Sequence, residues 1–203
     1  MKRIVLMALL ALALPLAAFA NNVDFTNSGG TLSGSSAGLT LSGSELTEVN
    51  GLAGLGKVQG GLGSLTFTTG AMMSGNLTTG AVFAPGGSFV ITGNGTGGIP
   101  SGAIFTGTFD GPVTWTTIGT VGVSGTIEYV LSGSISGTWF TGQTVNGATA
   151  QLTFNAGKNG FMGSVALGSG DTVLTTVPEP GTLGLLGTGL VGLAGVVRRK
   201  LKA

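Results

Sequence analysis

The sequence predicts an all-β fold: an antiparallel sandwich or one long meander over residues 21–176, with an N-terminal signal helix and a C-terminal membrane helix. Three observations carry that expectation. Apolar residues alternate with polar ones, most plainly where Ala148, Ala150, Leu152 and Phe154 interleave with Thr149, Gln151, Thr153 and Asn155. Turn residues recur at roughly 8–12-residue intervals, the spacing of short strands. No segment between Asn21 and Val177 sustains a helical period. Glycine at 41 of 203 residues, with much Ser and Thr, is a composition shared with low-complexity chains. Disorder, however, goes with high charge and few β-branched or aromatic residues. Here charged residues are 7% of the chain, and Val, Ile, Thr and Phe are plentiful, so sheet is the better reading.

The elements follow in order. Lys2 and Arg3 form a basic start, Ile4 to Leu14 an apolar run, Pro15 a break, and Ala18-Phe19-Ala20 a small-residue cleavage site. That is a signal peptide over residues 1–20, cut by signal peptidase after Ala20. Asn21 to about Gly61 is the least patterned stretch, with Thr31–Gly43 and Ser44–Val49 as short strands among Gly and Ser. Leu65 to Thr68 alternates as a strand, and Ala71–Gly80 is a loop or another short strand. Phe89 and Ile91 share a face before a glycine-dense turn at Gly93–Gly98.

From Ala103 the pattern sharpens. Phe105, Gly107 and Phe109 share one face, Asp110-Gly111-Pro112 makes a turn, and Val113, Trp115 and Thr117 follow on the next strand. Ile127, Tyr129 and Leu131 alternate with Thr126, Glu128 and Val130. Asn159-Gly160 is a hairpin turn between Phe154 and Phe161, and Phe161–Leu167 and Thr172–Val177 complete the sheet. Gly107–Gly111 echoes Gly133–Gly137, and Ser124–Ile127 echoes Ser132–Ile135. These echoes are too few for a solenoid and read as hairpin-scale similarity within one sheet.

The C-terminus differs from all of this. Pro178 and Pro180 fix their own φ and hold the preceding residues extended, so residues 177–181 form a non-helical strip suited to a protease. Residues 182–197 carry no charge. As a helix they span roughly 24 Å at about 1.5 Å per residue, just under a bilayer core of about 30 Å. The helix is predicted to insert in the inner membrane as a light anchor, with Gly184, Thr188 and Gly192 forming a small-residue seam on one face. Residues 198–203 supply a basic end in which Arg198, Arg199, Lys200 and Lys202 act as a cytoplasmic stop. With basic residues retained inside at both ends, the middle lies outside.

Val177-Pro178-Glu179-Pro180-Gly181-Thr182, the Gly-rich span and the Arg-Arg-Lys end together resemble the PEP-CTERM sorting signal of Gram-negative bacteria. The resemblance implies that Val177, Pro178, Glu179 and Pro180 are read by exosortase, a membrane protease that cuts near the motif and releases or re-attaches the protein outside. The implied destination is the cell surface or an exopolysaccharide-rich extracellular matrix. The body from Phe105 to Thr176 is similar to uncharacterised cargo of proteins with this signal.

Charge and composition narrow the chemistry. Between Asn21 and Val177 two bases, Lys57 and Lys158, face six acids, Asp24, Glu45, Glu48, Asp110, Glu128 and Asp171, a net of −4 that excludes a nucleic-acid surface. No Cys and no His occur, which removes disulfides, Ser-His-Asp and Cys-His nucleophiles, and the usual zinc, copper and haem ligand sets. No metal or other cofactor is expected, and no catalytic residue is assigned. Gly93-Asn94-Gly95-Thr96-Gly97-Gly98 fits a dinucleotide fingerprint, but Ile99-Pro100 follows where a helix must start. Gly51 to Lys57 fits a P-loop, but Val58 stands where a Ser or Thr must bind magnesium.

Two rival readings are kept beside the non-catalytic surface protein. A secreted carbohydrate-active enzyme needs two convergent carboxylates, for which Asp110 and Glu128 are the candidates. A carbohydrate-binding module needs exposed aromatics, for which Trp115, Trp139, Tyr129 and Phe140 are the candidates, although core filling is the default for aromatics on strands.

Overall fold

Period-2 alternation over most of residues 21–176 becomes thirteen strands in the computed structural model, which describes residues 21–121, 126–156, 158 and 160–176. They are β1 (Asn21–Ser28), β2 (Thr31–Ser35), β3 (Gly38–Asn50), β4 (Val58–Thr68), β5 (Met72–Asn76), β6 (Gly80–Phe83) and β7 (Gly86–Asn94). The remainder are β8 (Ser101–Phe109), β9 (Val113–Val121), β10 (Thr126–Trp139), β11 (Thr144–Ala156), β12 (Ser164–Ala166) and β13 (Ser169–Thr176).

The pairings resolve these strands into eight continuous staves. β8 and β9 run one after the other along the same edge of β10, with Phe105 opposite Trp139, Phe109 opposite Ile135, Thr114 opposite Ser132 and Val121 opposite Thr126. β1 and β2 run along β3 in the same way, and β6 and β7 along β9 and β8. β4 with β5, and β12 with β13, make two more broken staves, while β3, β10 and β11 are unbroken. Each stave is antiparallel to its neighbours in sequence, and the last returns to the first: β12 pairs β2, and β13 lies beside β1.

The result is an up-and-down barrel of eight staves. The expected sandwich is therefore corrected, and the meander is what the pairings show. Closure follows from the seam between the first and last staves, which replaces two facing sheets by one ring without long free edges. The expected signal helix (1–20) and membrane helix (182–197) lie outside the described residues. Among the described residues no helix is long and apolar enough to cross a membrane, a statement that does not bear on strands.

Two local expectations are also corrected. Asp110-Gly111-Pro112, expected as a turn between two strands, is a bend that separates β8 from β9 within one stave, where the Asp110 N–H still reaches the Ser134 carbonyl at 3.1 Å. Pro85 lies in the facing break of the neighbouring stave. Proline cannot donate to a ladder, so it belongs where a ladder is interrupted. The second correction concerns Phe161, which is not in a strand: the stave begins at Ser164, and Phe161 is a buried plug in the loop before it. Asn159 lies outside the described residues.

Most large apolar side chains point into the ring and most Ser and Thr side chains point out. Phe25, Trp139, Phe105, Phe89, Phe67 and Phe109 form a chain of ring contacts with centroids 5.7–6.4 Å apart. Trp115 stacks on Tyr129 at 4.6 Å and meets Phe154 and Phe161 in a second cluster. An eight-stranded ring is just wide enough for side chains to fill. Glycines make room for the rings: a Cβ on Gly107 would sit 2.8 Å from the Phe105 ring, and one on Gly133 would sit 2.8 Å from that of Phe109. Outside, Thr106, Thr108, Thr114, Thr116, Thr149 and Gln151 are exposed. That polarity is the reverse of a barrel wall built to face lipid.

With eight staves, the chain enters and leaves at the same end. Asn21 and Thr176 share one rim with the loops 51–57, 95–100 and 140–143; the opposite rim carries 36–37, 77–79 and 160–163.

Candidate functional site

The residues expected to carry function fall into two groups. The sorting residues Val177, Pro178, Glu179 and Pro180, the basic stop Arg198, Arg199, Lys200 and Lys202, and the cleavage residues Ala18 and Ala20 all lie outside the described residues. The barrel shows where they attach. β13 runs Ser169–Thr176, and Val177-Pro178-Glu179-Pro180 follows directly in the sequence.

The second group is on the barrel, and the structure does not bring it together. Asp110 is held at the break in its stave. The Ser136 hydroxyl donates to its carboxylate, and the Gly147 N–H donates to that same hydroxyl at 3.1 Å. Burial pushes the Asp110 carboxyl up, but the Ser134 and Ser136 hydroxyls and the N–H groups of Asp110 and Gly147 more than offset it, leaving the group below the usual carboxylate range. Glu128 sits six residues before Ser134 on β10, so at about 3.3 Å per residue the two carboxylates are roughly 20 Å apart. A glycosidase pair needs about 5 to 9.5 Å. Asp110 serves as a clamp across β8, β10 and β11, and Glu128 lies beyond the reach of a glycosidase partner.

The aromatic candidates fare similarly. Trp115, Tyr129 and Trp139 are buried, and only Phe140, at the rim, is 42% exposed. The Trp115 indole N–H donates to the Leu77 carbonyl at 2.9 Å, and the Tyr129 hydroxyl donates to that of Thr78 at 2.8 Å. The Phe161 N–H donates in turn to the Tyr129 hydroxyl at 3.0 Å. These polar tips pin the turn at 77–79 and the backbone at Phe161 across the far rim. No flat aromatic platform is formed by these residues.

The two glycine motifs are tight turns. Gly51 and Gly95 adopt the same left-handed geometry (φ 85 and 86), each opening a 3-10 turn of three residues. Lys57 is paired with Glu48 at 2.8 Å instead of reaching into its loop.

Sequence reading missed the outer face of the closing seam. There Asp24 on β1 lies near Glu48 on β3 and Asp171 on β13. Burial, then Asp171, then Glu48 push the Asp24 carboxyl up, and its Oδ1 is buried without a hydrogen-bond partner. Glu48 is held low by Lys57 and then Gln59, whose amide donates to Oε2 at 2.8 Å. Only closure of the ring brings Asp24 and Asp171 together, so no local pattern could have revealed the cluster. Among the described residues no group of three potential ligands stands close enough to hold a metal ion. A shallow groove of about 260 Å³ crosses the outside of β11 and β13, lined by Thr149, Gln151, Thr153, Ser169 and Asp171 among others.

Comparison with known proteins bears on the tail alone. Residues 176–200 match the PEP-CTERM protein-sorting motif, a span that starts at the last residue of β13 and runs through the Pro-Glu-Pro strip to Lys200. Such a tail marks an exported protein sorted at the membrane by an exosortase-type protein and then delivered to the cell surface. No curated protein and no solved structure matches the chain.

Proposed function

We propose that the barrel is non-catalytic cargo for its own tail: a surface or extracellular-matrix protein, parked briefly in the inner membrane by residues 182–197 and processed at Val177–Pro180. Signal peptidase acts first, after Ala20, and an exosortase-like protease acts second. The observation that carries this reading is the match at residues 176–200, which begins where the barrel wall ends. The cut therefore separates anchor from barrel and leaves the wall whole.

The non-catalytic role is supported by the roughly 20 Å between Asp110 and Glu128 and by the use of Asp110 as a clamp. Exopolysaccharide association is supported by the outer wall. Exposed hydroxyls such as Thr106, Thr108, Thr114 and Thr116 offer donors and acceptors to sugar hydroxyls, and the wall carries few charges to desolvate.

Intact-mass measurement of the protein from the cell envelope and the medium tests the delivery route. The expected species begins at Asn21 and has lost Arg198 to Ala203. A Pro178→Ala, Pro180→Ala double variant is expected to keep its full tail. A native protein found outside the cell with Lys202 still attached would overturn the proposal.

A further inference from the structure

A closed barrel has no edges, yet among the described residues β5 keeps one. β5 (Met72–Asn76) pairs with β6 on one side, and among the described residues no strand pairs with its other side beyond the Met72 N–H, which reaches the Ser36 carbonyl at 2.9 Å. Proteins usually blunt such an edge with Lys, Pro or an inward charge. β5 has neither Pro nor charge, and no charged residue occurs anywhere between Lys57 and Asp110. Of the five exposed large apolar side chains among the described residues, Phe140 is on the opposite rim and Val173 on β13, while three lie toward this end: Met73 on β5 (54%), Ile118 on β9 (55%) and Met162 in the loop before β12 (77%). Those elements are tied together, since the Thr117 hydroxyl donates to the Thr79 carbonyl at 2.7 Å and Gly160 packs near Thr78.

We propose that β5 is the dimerisation edge of this protein, pairing antiparallel with β5 of a second copy about a two-fold axis. A second copy fits because an uncharged edge meets itself without repulsion, and antiparallel self-pairing is isologous, so each unpaired N–H finds its own counterpart carbonyl. Met73 from each chain then loses its exposure across the axis. A two-fold of this kind reverses strand direction, so it sends the two rims that carry the chain ends to opposite ends of the dimer. Given the release route proposed above, on which this consequence rests, the pair is open to freed chains and closed to chains anchored in one membrane.

The absence of any native cysteine makes the test direct. A Ser74→Cys full-length chain in detergent micelles is expected to give a covalent dimer with a short bis-maleimide. Gln143→Cys, exposed on the opposite rim, is expected not to, and adding Met73→Lys to Ser74→Cys is expected to abolish the dimer. Equal cross-linking of the Ser74→Cys and Gln143→Cys chains, none from the former, or indifference to Met73→Lys would overturn the β5 interface. The same Ser74→Cys chain held in membranes is expected to stay monomeric. Cross-linking there, alongside cross-linking in micelles, leaves the interface standing and sinks the link to release.

Discussion

Tyr129→Phe removes one oxygen and leaves the ring on Trp115, which isolates the pinning of the far rim from the packing beneath it. The hydroxyl donates to the Thr78 carbonyl at 2.8 Å and accepts from the Phe161 N–H at 3.0 Å, the latter a buried bond. Stranding a buried donor costs about 1–3 kcal/mol, more than the net worth of an average hydrogen bond. For a domain of this size each kcal/mol lowers the melting temperature by about 2–4 °C, so a fall of about 2–12 °C is expected. Thermal unfolding followed by tryptophan fluorescence reads the global term, because Trp115 stacks on the altered ring. Hydrogen exchange at Phe161 reads the local one and is expected to accelerate. An unchanged melt together with a Phe161 amide as protected as in the native chain would refute the pin.

Glycine sockets and the seam carboxylate supply further tests. Gly107→Ala places a Cβ 2.5 Å from the Ser136 carbonyl oxygen and 2.8 Å from the Phe105 ring, and overpacking of that kind costs about 1–3 kcal/mol; Gly111→Ala, whose Cβ meets nothing closer than 4.0 Å, is expected to stay within about 0.5 kcal/mol of native in a urea melt. Asp24 titrates above its usual range when folded, so ionising it weakens the fold: the domain gains stability from this group as pH falls through the raised value. Asp24→Asn is accordingly expected to raise the melting temperature at neutral pH and to flatten its rise on mild acidification, which melts across that range will show.

The half of the sheet that was plain in the sequence also has register shifts, but those at Glu128/Tyr129 and Ile135/Gly137 leave the inward phase of β10 unbroken. Phe105, Gly107 and Phe109 do share the inner face, as do Tyr129 and Leu131, and Ala148, Ala150, Leu152 and Phe154 are all buried. The cross-strand pairing of Gly107 with Gly137 accounts for the echo between Gly107–Gly111 and Gly133–Gly137 as neighbours in one sheet. Asn21 to Gly61 read poorly for a physical reason. Bulges at Thr26/Asn27, Leu41/Ser44 and Leu46/Glu48 shift the phase, so the inward set on β3 is Leu39, Leu41, Ser44, Leu46 and Val49, which no strict alternation finds. Two inward positions are also polar: the Asn27 amide donates to the Ser44 hydroxyl at 2.7 Å, and that hydroxyl donates to the Ser28 carbonyl. Barrel against sandwich was beyond periodicity altogether, because both produce the same alternation and differ only in whether the last stave meets the first. The tail was legible because its signal is local: a breaker, an apolar run and basic residues in fixed order.

That closing contact orders the folding. Every other junction joins staves adjacent in sequence, whereas β12 and β13 must travel the whole chain to reach β2 and β1, a long loop closure made before its contacts repay it. An exported chain emerges from its N-terminus, so the ring closes only when Thr176 is outside; on the delivery route proposed above, this is when the apolar run behind it meets the membrane. Gly170 offers a probe of this seam: a Cβ there would lie 2.7 Å from both Asn27 Oδ1 and Leu152 Cδ2. If closure follows the folding transition state, Gly170→Ala, at about 1–3 kcal/mol of overpacking, speeds unfolding and leaves refolding at its native rate. Gly107→Ala, inside a junction of sequence neighbours, shares its cost with the refolding limb. A chevron in which Gly170→Ala slows refolding and spares unfolding would place the seam in the nucleus and reverse this order.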